Sequence, residues 1–151
     1  MKDKVEIIQE GADLELAEDE KKKEYLKGYK IAVRQMERSE LKMQEIRLSR
    51  ICPAVLNDGI SHAYSNNDLS SYAAVLDQEE KRYLKYRYQR IEKCKEITAR
   101  IECLSDEDQK DVLTYRYIKL MKWEDICERM KFSWKQVHRI HLMALKNFRI
   151  N

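Results

Sequence analysis

Apolar residues recur every three or four positions along most of the chain, which is the spacing of one face of an α-helix. From about Glu20 to Ile51 this pattern is nearly continuous and predicts one long amphipathic helix. A second repeat, from Ser71 or Ala73 to Cys103, predicts another. The two helices are expected to form a hairpin or part of a coiled-coil dimer, and the spacing does not distinguish these arrangements.

The segments that flank the first long helix have a different pattern. Residues 1–20 carry eight acidic and two basic side chains without a sustained apolar repeat, which predicts a disordered acidic tail. The residue before a proline avoids the α region, so the helix should end near Pro53. Turn-forming residues follow, and they predict a long connection over residues 52–72. Residues 21–103 would then form a helical arm.

Three further helices are predicted over residues 104–151. Ser105 is an N-cap candidate with acidic residues in the first turn, and its helix should extend to about Lys119. The segment Trp123–Met130 has the pattern of a two-turn helix. After a short turn, Ser133 is a second N-cap candidate, for a helix that continues to about Phe148. The expected fold class is all-α, with a coiled-coil-like helical hairpin followed by a three-helix helix-turn-helix domain.

The last helix is predicted to have two distinct faces. Its inner stripe consists of Val137, Ile140, Ala144 and Phe148. Its outer side carries Lys135, His138, Arg139, Leu142 and Lys146. A short helix, a tight turn and a longer helix with polar and basic residues outward are the elements of a helix-turn-helix, whose second helix enters the DNA major groove.

Composition and charge agree with a helical nucleic-acid-binding protein. Charged residues make up 38% of the chain, with three glycines and one proline. The net charge is only +3, but residues 129–151 carry six basic and no acidic side chains. Such a basic end is typical of a phosphate-binding surface, although charge alone is equally consistent with a solvated helix face. Because no run of eighteen apolar residues occurs, we expect a cytoplasmic protein that does not insert into membranes.

The sequence offers little catalytic or metal-binding chemistry. It lacks a glycine-rich phosphate loop and a nucleophile elbow, so no enzyme activity and no cofactor are predicted. His138 and His141, with Cys127 nearby, lack a fourth ligand for a metal. The four cysteines are expected to be reduced and mostly buried. Three arm tyrosines lie among basic residues; we interpret them as covering a hydrophobic seam rather than as a nucleic-acid stacking platform.

Residues from about Leu104 to Phe148 resemble the promoter-reading C-terminal region of primary sigma factors. The matching stretches are Leu104-Ser105, Val112–Tyr117, Trp123–Cys127, Phe132-Ser133, Val137, Ile140 and Ala144-Leu145. With the preceding pair of long helices, the chain from about Lys21 is similar to small phage transcription regulators of the ArpU and RinA type. This resemblance implies a phage or prophage regulator acting at a promoter, most naturally a late one.

The resemblance also implies which residues contact DNA. The base-reading positions of the family fall on Trp134, Lys135, Gln136, His138 and Arg139, and Ser133 at the helix start would hold a phosphate. Lys146, on the outer face, completes the predicted DNA-binding set. Trp134 is equally consistent with a contact to a partner protein, and Gln136 with a capping box. Where the family usually has glycine at the turns, this chain has Leu120 and Lys131.

The expected partners are double-stranded DNA, RNA polymerase, and a second copy bound through the helical arm. Two other functions are compatible with the same sequence. A small terminase subunit also joins a helix-turn-helix to helical oligomerisation arms. An adaptor would bind RNA polymerase or a sigma factor through its helices without contacting bases.

Overall fold

A computed structural model of the chain describes residues 2–51 and 66–150, with side chains for 14–49 and 69–150. Every regular element in these ranges is helical, which confirms the all-α prediction. The elements are α1 (Lys2–Ile51), α2 (Asn66–Glu102), α3 (Glu107–Leu113), a π-helical turn (Thr114–Ile118), α4 (Trp123–Met130) and α5 (Trp134–Asn147). Within the described ranges, none of the helices has a stretch long and apolar enough to cross a membrane.

The two long helices both begin earlier than the apolar repeat predicts. Helix α1 starts at Lys2 instead of Glu20, so residues 2–20 belong to the same helix. Acidic side chains stabilise the N-terminal end of a helix dipole, and Leu, Ala and Glu are good helix formers, which favours this extension. Helix α2 starts at Asn66, inside the predicted connection of residues 52–72. Residues 52–65 of that connection lie outside the described residues.

The chain divides into two compact units, and α1 packs against α2. Unit 1 contains the residues up to Lys30 together with those from Glu92 onward, and unit 2 contains Ile31–Ile91. The division into an acidic tail (1–20), an arm (21–103) and a helix-turn-helix domain (104–151) stays a prediction.

Unit 1 has a continuous apolar core. Its buried members come from α1, α2, α3, the π-helical turn and α5, together with two flanking residues. They are Leu26, Ile97, Ile101, Leu104, Leu113, Tyr117, Ala144, Leu145 and Phe148. At the C-terminal end of α5, Lys22 Nζ of α1 donates to the Leu145 carbonyl at 2.9 Å. The lysine charge also interacts favourably with the negative end of the helix dipole. Thus α5 is anchored along one side and at its end.

Helix α3 differs from the prediction at both ends. Its N-cap is Asp106 rather than Ser105, because the Asp106 carboxylate accepts a hydrogen bond from the Gln109 backbone N–H at 3.0 Å. Either residue type is a good N-cap, and the sequence places them side by side. The helix stops being α-helical after Leu113 and continues as the π-helical turn, which ends at Ile118, one residue before the predicted end.

In unit 2, α1 and α2 run antiparallel around a partly polar seam. The buried Ser39 hydroxyl donates to the buried Glu79 carboxylate at 2.7 Å. Lys42 and Arg82 also pair with Glu79, at 3.4 and 2.9 Å. The Ser39 hydrogen bond and the two cations keep the pKa of Glu79 below its usual value, against the opposing effect of burial. The seam therefore contains a buried charge with several partners.

Candidate nucleic-acid interface

Helices α4 and α5 and the turn between them form the candidate site. Helix α4 covers Trp123–Met130, as the sequence predicts. The Ser133 side chain accepts a hydrogen bond from the Gln136 backbone N–H at 3.3 Å, so Ser133 is the N-cap of α5 as predicted. Because α5 starts at Trp134, its first two turns carry the five residues that the resemblance assigns to base reading.

The turns before and after α4 both contain a residue in the left-handed region. Leu120 and Lys131 each have φ of 56°. These are the positions where the resembled families usually carry glycine. Only the missing Cβ of glycine makes this conformation free of strain, and another residue there costs about 1 kcal/mol. Both turns therefore contain a left-handed residue that carries a side chain.

A small apolar cluster holds α3, α4 and α5 together. Val112, Ile126 and Val137, one from each helix, are completely buried. Cys127 and Ile140 are half-buried against them, and Met130 and Phe132 close the cluster beside the turn. This packing fixes the orientation of α5 relative to α4, so the outer face of α5 is presented on a rigid support.

The outer face of α5 carries a stripe of exposed side chains at positions i, i+4, i+7 and i+11. They are Lys135, Arg139, Leu142 and Lys146. With 3.6 residues per turn, these positions fall within a sector of about 60°. No acidic residue occurs anywhere in α5, so the three charged members of this row are all positive. We call these four residues the basic stripe.

His138 is less exposed than the sequence predicts. Its ring lies between two indoles, with ring-centroid distances of 4.4 Å to Trp123 and 4.6 Å to Trp134. The His138 Nε2 atom is buried and, among the described residues, has no hydrogen-bond partner. Trp134 itself is 50% exposed. The His138 ring therefore packs against both indoles and supports the exposed Trp134.

His141, which the sequence offers only as part of an incomplete metal-ligand set, is buried. Only 5% of it is exposed, and its Nε2 lies 3.0 Å from the Tyr117 hydroxyl. Burial lowers the pKa of His141 to about 4 and raises the pKa of Tyr117 to about 12. His141 is therefore neutral at pH 7, and its Nε2 shares one hydrogen bond with the Tyr117 hydroxyl. Within the described residues, no group of three metal-ligand side chains is close enough to hold an ion.

The other predicted site residues occupy the first turn and the far end of α5. Gln136 is half-buried one turn from Ser133, and its backbone N–H is used by the cap. Lys146 is 61% exposed and lies 3.5 Å from the exposed Glu15 carboxylate of α1. Lys146 is the one residue of the basic stripe with an ion-pair partner among the described residues.

The cysteines and arm tyrosines do not add to this site. Cys94 and Cys127 are half-buried and Cys103 is exposed, all as free thiols, so the prediction of mostly buried cysteines is wrong for the three that are described. Cys52 lies outside the described residues. In unit 2, Tyr83 and Tyr86 are half-buried and Tyr88 is 65% exposed.

The chain matches a protein-family model over its C-terminal half. The family model described as "Protein of unknown function (DUF1492)" matches residues 72–149, slightly more than half of the chain. The chain belongs to the DUF1492 family. The DUF1492 match contains most of α2 and all of α3, α4 and α5, so it includes the whole candidate interface. No match was found among curated proteins or among solved structures.

Proposed function

We propose that this protein is a sequence-specific DNA-binding transcription regulator that inserts α5 into the major groove. The observation that carries the proposal is the basic stripe on a helix that is anchored to α3 and α4 by its opposite face. Lysine and arginine side chains gain affinity for DNA by neutralising phosphates and releasing counterions. The major groove is wide enough for an α-helix whose outward side chains are long and polar.

The exposed positions suggest a division of roles along α5. Arg139 and Lys135 are exposed on the outer face and are suited to the O6 and N7 acceptors of guanine. The Ser133 cap and the N-terminal end of α5 are suited to a phosphate. Lys146 would contact the backbone after exchanging Glu15 for a phosphate. Trp134, supported by His138, adds an apolar contact at the start of the helix.

The finer assignment, a phage or prophage regulator at a late promoter, depends on the resemblance of residues 104–148 to the promoter-reading region of sigma factors and to ArpU and RinA proteins. That resemblance supports a promoter as the DNA target and RNA polymerase as a second partner. The DUF1492 family description adds no activity of its own, so this assignment is carried by the sequence pattern alone.

The proposal is tested by gel retardation with fragments of the genome that encodes the protein. We expect one fragment to be preferred at physiological salt, and Lys135→Ala with Arg139→Ala to abolish the preference. Because both side chains are exposed, circular dichroism should show an unchanged helix content. The matched control is Lys85→Ala with Arg87→Ala, an exposed basic pair on α2. The absence of any preferred fragment would reject the proposal.

The role of His138 is tested in the same assay. His138→Phe keeps a flat ring between the two indoles and should retain the sequence preference, whereas His138→Ala removes the support of Trp134 and should weaken binding about tenfold, the equivalent of one good contact. Both tryptophans of the chain lie in this stack, so intrinsic fluorescence reports its integrity without DNA. If His138→Phe lost the preference while fluorescence stayed unchanged, His138 would contact bases directly.

A further inference from the structure

One face of α1 in unit 2 carries a line of six exposed side chains at heptad spacing. They are Ile31, Arg34, Arg38, Leu41, Glu45 and Leu48. Successive steps of three, four, three, four and three residues keep them in one row, as on a coiled-coil helix. The three apolar members are 55%, 58% and 59% exposed. The opposite side of α1, which includes the buried Ala32, Ser39 and Met43, faces α2. We call the exposed row the α1 outer stripe.

The charged members of the α1 outer stripe have no partner within the part of the chain that the structure describes. Arg34, Arg38 and Glu45 make no ion pair or hydrogen bond there. Their neighbours on the α2 side behave differently: Lys42 pairs with Glu79 at 3.4 Å, and Arg47 pairs with Glu80 at 2.9 Å. The row therefore combines large exposed apolar side chains with charged side chains that lack ion-pair partners in the described residues. This composition is typical of a helix face that packs against another helix.

The residues of the α1 outer stripe match those of a second copy that runs in the opposite direction. If a second α1 lies antiparallel with the two rows facing, Ile31 meets Leu48 of the partner subunit. Arg34 then meets Glu45 of the partner subunit, and the Arg38 stem covers Leu41 of the partner subunit. A two-fold axis repeats each contact, so all six positions are used. A parallel pairing would instead oppose like charges at positions 34, 38 and 45, which is unfavourable.

We propose that the protein forms a homodimer through antiparallel pairing of the α1 outer stripe. The pairing extends over 18 residues, about 27 Å of helix, and consists of two apolar contacts, two ion pairs and two arginine–leucine contacts. Charge complementarity favours a second copy over another partner, since the same six residues supply both halves of every contact. The proposal goes beyond DNA binding and holds whether or not α5 binds DNA.

A charge exchange tests the proposal. The mass of the full chain is measured by analytical ultracentrifugation over about a hundredfold range of concentration, where a dimer has twice the 18.2 kDa of the chain. R34E sets two carboxylates against each other in both symmetric contacts, and E45R sets two cations against each other. Each variant should weaken dimerisation at least about tenfold. R34E/E45R restores opposite charges and should return the dissociation constant to near that of the unchanged chain.

Controls and contrary outcomes are defined by the same measurement. R87E changes an exposed arginine of unit 2 on α2 and should leave the dimer intact. L41D should produce a monomer, and circular dichroism checks that each variant stays helical. A chain that is monomeric at every concentration overturns the proposal. So does a dimer that ignores R34E and E45R, or one that R34E/E45R fails to restore.

Discussion

The two units of this protein differ in how their helices pack. Unit 1 brings apolar side chains from five elements into one core, with Leu26, Ile97 and Phe148 almost fully buried. Unit 2 has two helices, buries a serine–glutamate pair between them, and leaves Leu41 and Leu84 more than half exposed. The comparison shows that unit 1 has an apolar core shared by several elements, whereas unit 2 has a partly polar seam and exposed leucines.

The largest difference in stability is expected between alanine variants of two leucines of α1, Leu26 in unit 1 and Leu41 in unit 2. Leu26→Ala should lower the free energy of unfolding by about 2–5 kcal/mol, because it leaves a cavity in the unit 1 core. Leu41→Ala should change it by less than about 0.5 kcal/mol in the monomer, because that side chain is 58% exposed. Urea denaturation at low protein concentration measures both. Equal losses would remove the distinction between the units.

A smaller effect is expected from pH, because the titrating groups of the two units should lower the stability in different pH ranges. The pKa of His141 is about 4 in the folded protein and near 6.5 when unfolded, so the folded state binds fewer protons between these values. The contribution of His141 to the free energy of unfolding should be fully present above pH 6.5. It should fall by about 3 kcal/mol as the pH decreases toward 4. The contribution of Glu79 in unit 2, whose pKa is lowered, should be lost only below pH 4.5. His141→Phe should remove the first decrease.

The pH prediction is measured by urea denaturation at several pH values, with His138→Phe as the control on the same helix. The control should retain the decrease between pH 6.5 and 4, because His141 is unchanged. If His141→Phe and the control have the same slope, another group is responsible for the acid sensitivity of unit 1.

The smallest effect concerns the seam of unit 2. Ser39→Ala removes the hydroxyl that donates to the buried Glu79 and should cost about 1–2 kcal/mol, since hydrogen bonds to charged groups are the stronger kind. Ser49→Ala, on the same helix, removes only an exposed bond to its own backbone and should be nearly neutral. Thermal unfolding of the two variants makes the comparison. A neutral Ser39→Ala would mean that Lys42 and Arg82 alone stabilise the charge.

Regular helices and strong caps were predictable from the sequence. The limits of α4, the Ser133 cap and the burial of Val137 all follow from apolar spacing and capping chemistry. The early start of α1 was missed, because helix propensity continues where the apolar repeat does not. The choice of Asp106 over Ser105 depends on the exact position of Gln109, which local sequence does not determine.

Within the candidate site, the exposed basic residues agree with the sequence pattern, and the two histidines do not. His138 and His141 are polar residues on a helix with basic neighbours, so a pattern of polarity assigns both to the outside. His138 is partly covered by Trp123, and His141 is buried beside Tyr117; both aromatic residues belong to other elements. A tryptophan at the start of α4 and another at the start of α5 were the available signal for an aromatic stack.

The π-helical turn at Thr114–Ile118 has a consequence for alignments of the DUF1492 family. A π-turn accommodates one more residue than an α-turn, and such turns occur mostly as single insertions within α-helices. In a relative without the extra residue, every later side chain of that segment would be rotated by about 100°. The aromatic residue equivalent to Tyr117 would then leave the core unless the gap is placed within this turn. Alignments that allow a one-residue gap there, and nowhere else between Glu107 and Ile118, should keep the partner of His141 in register.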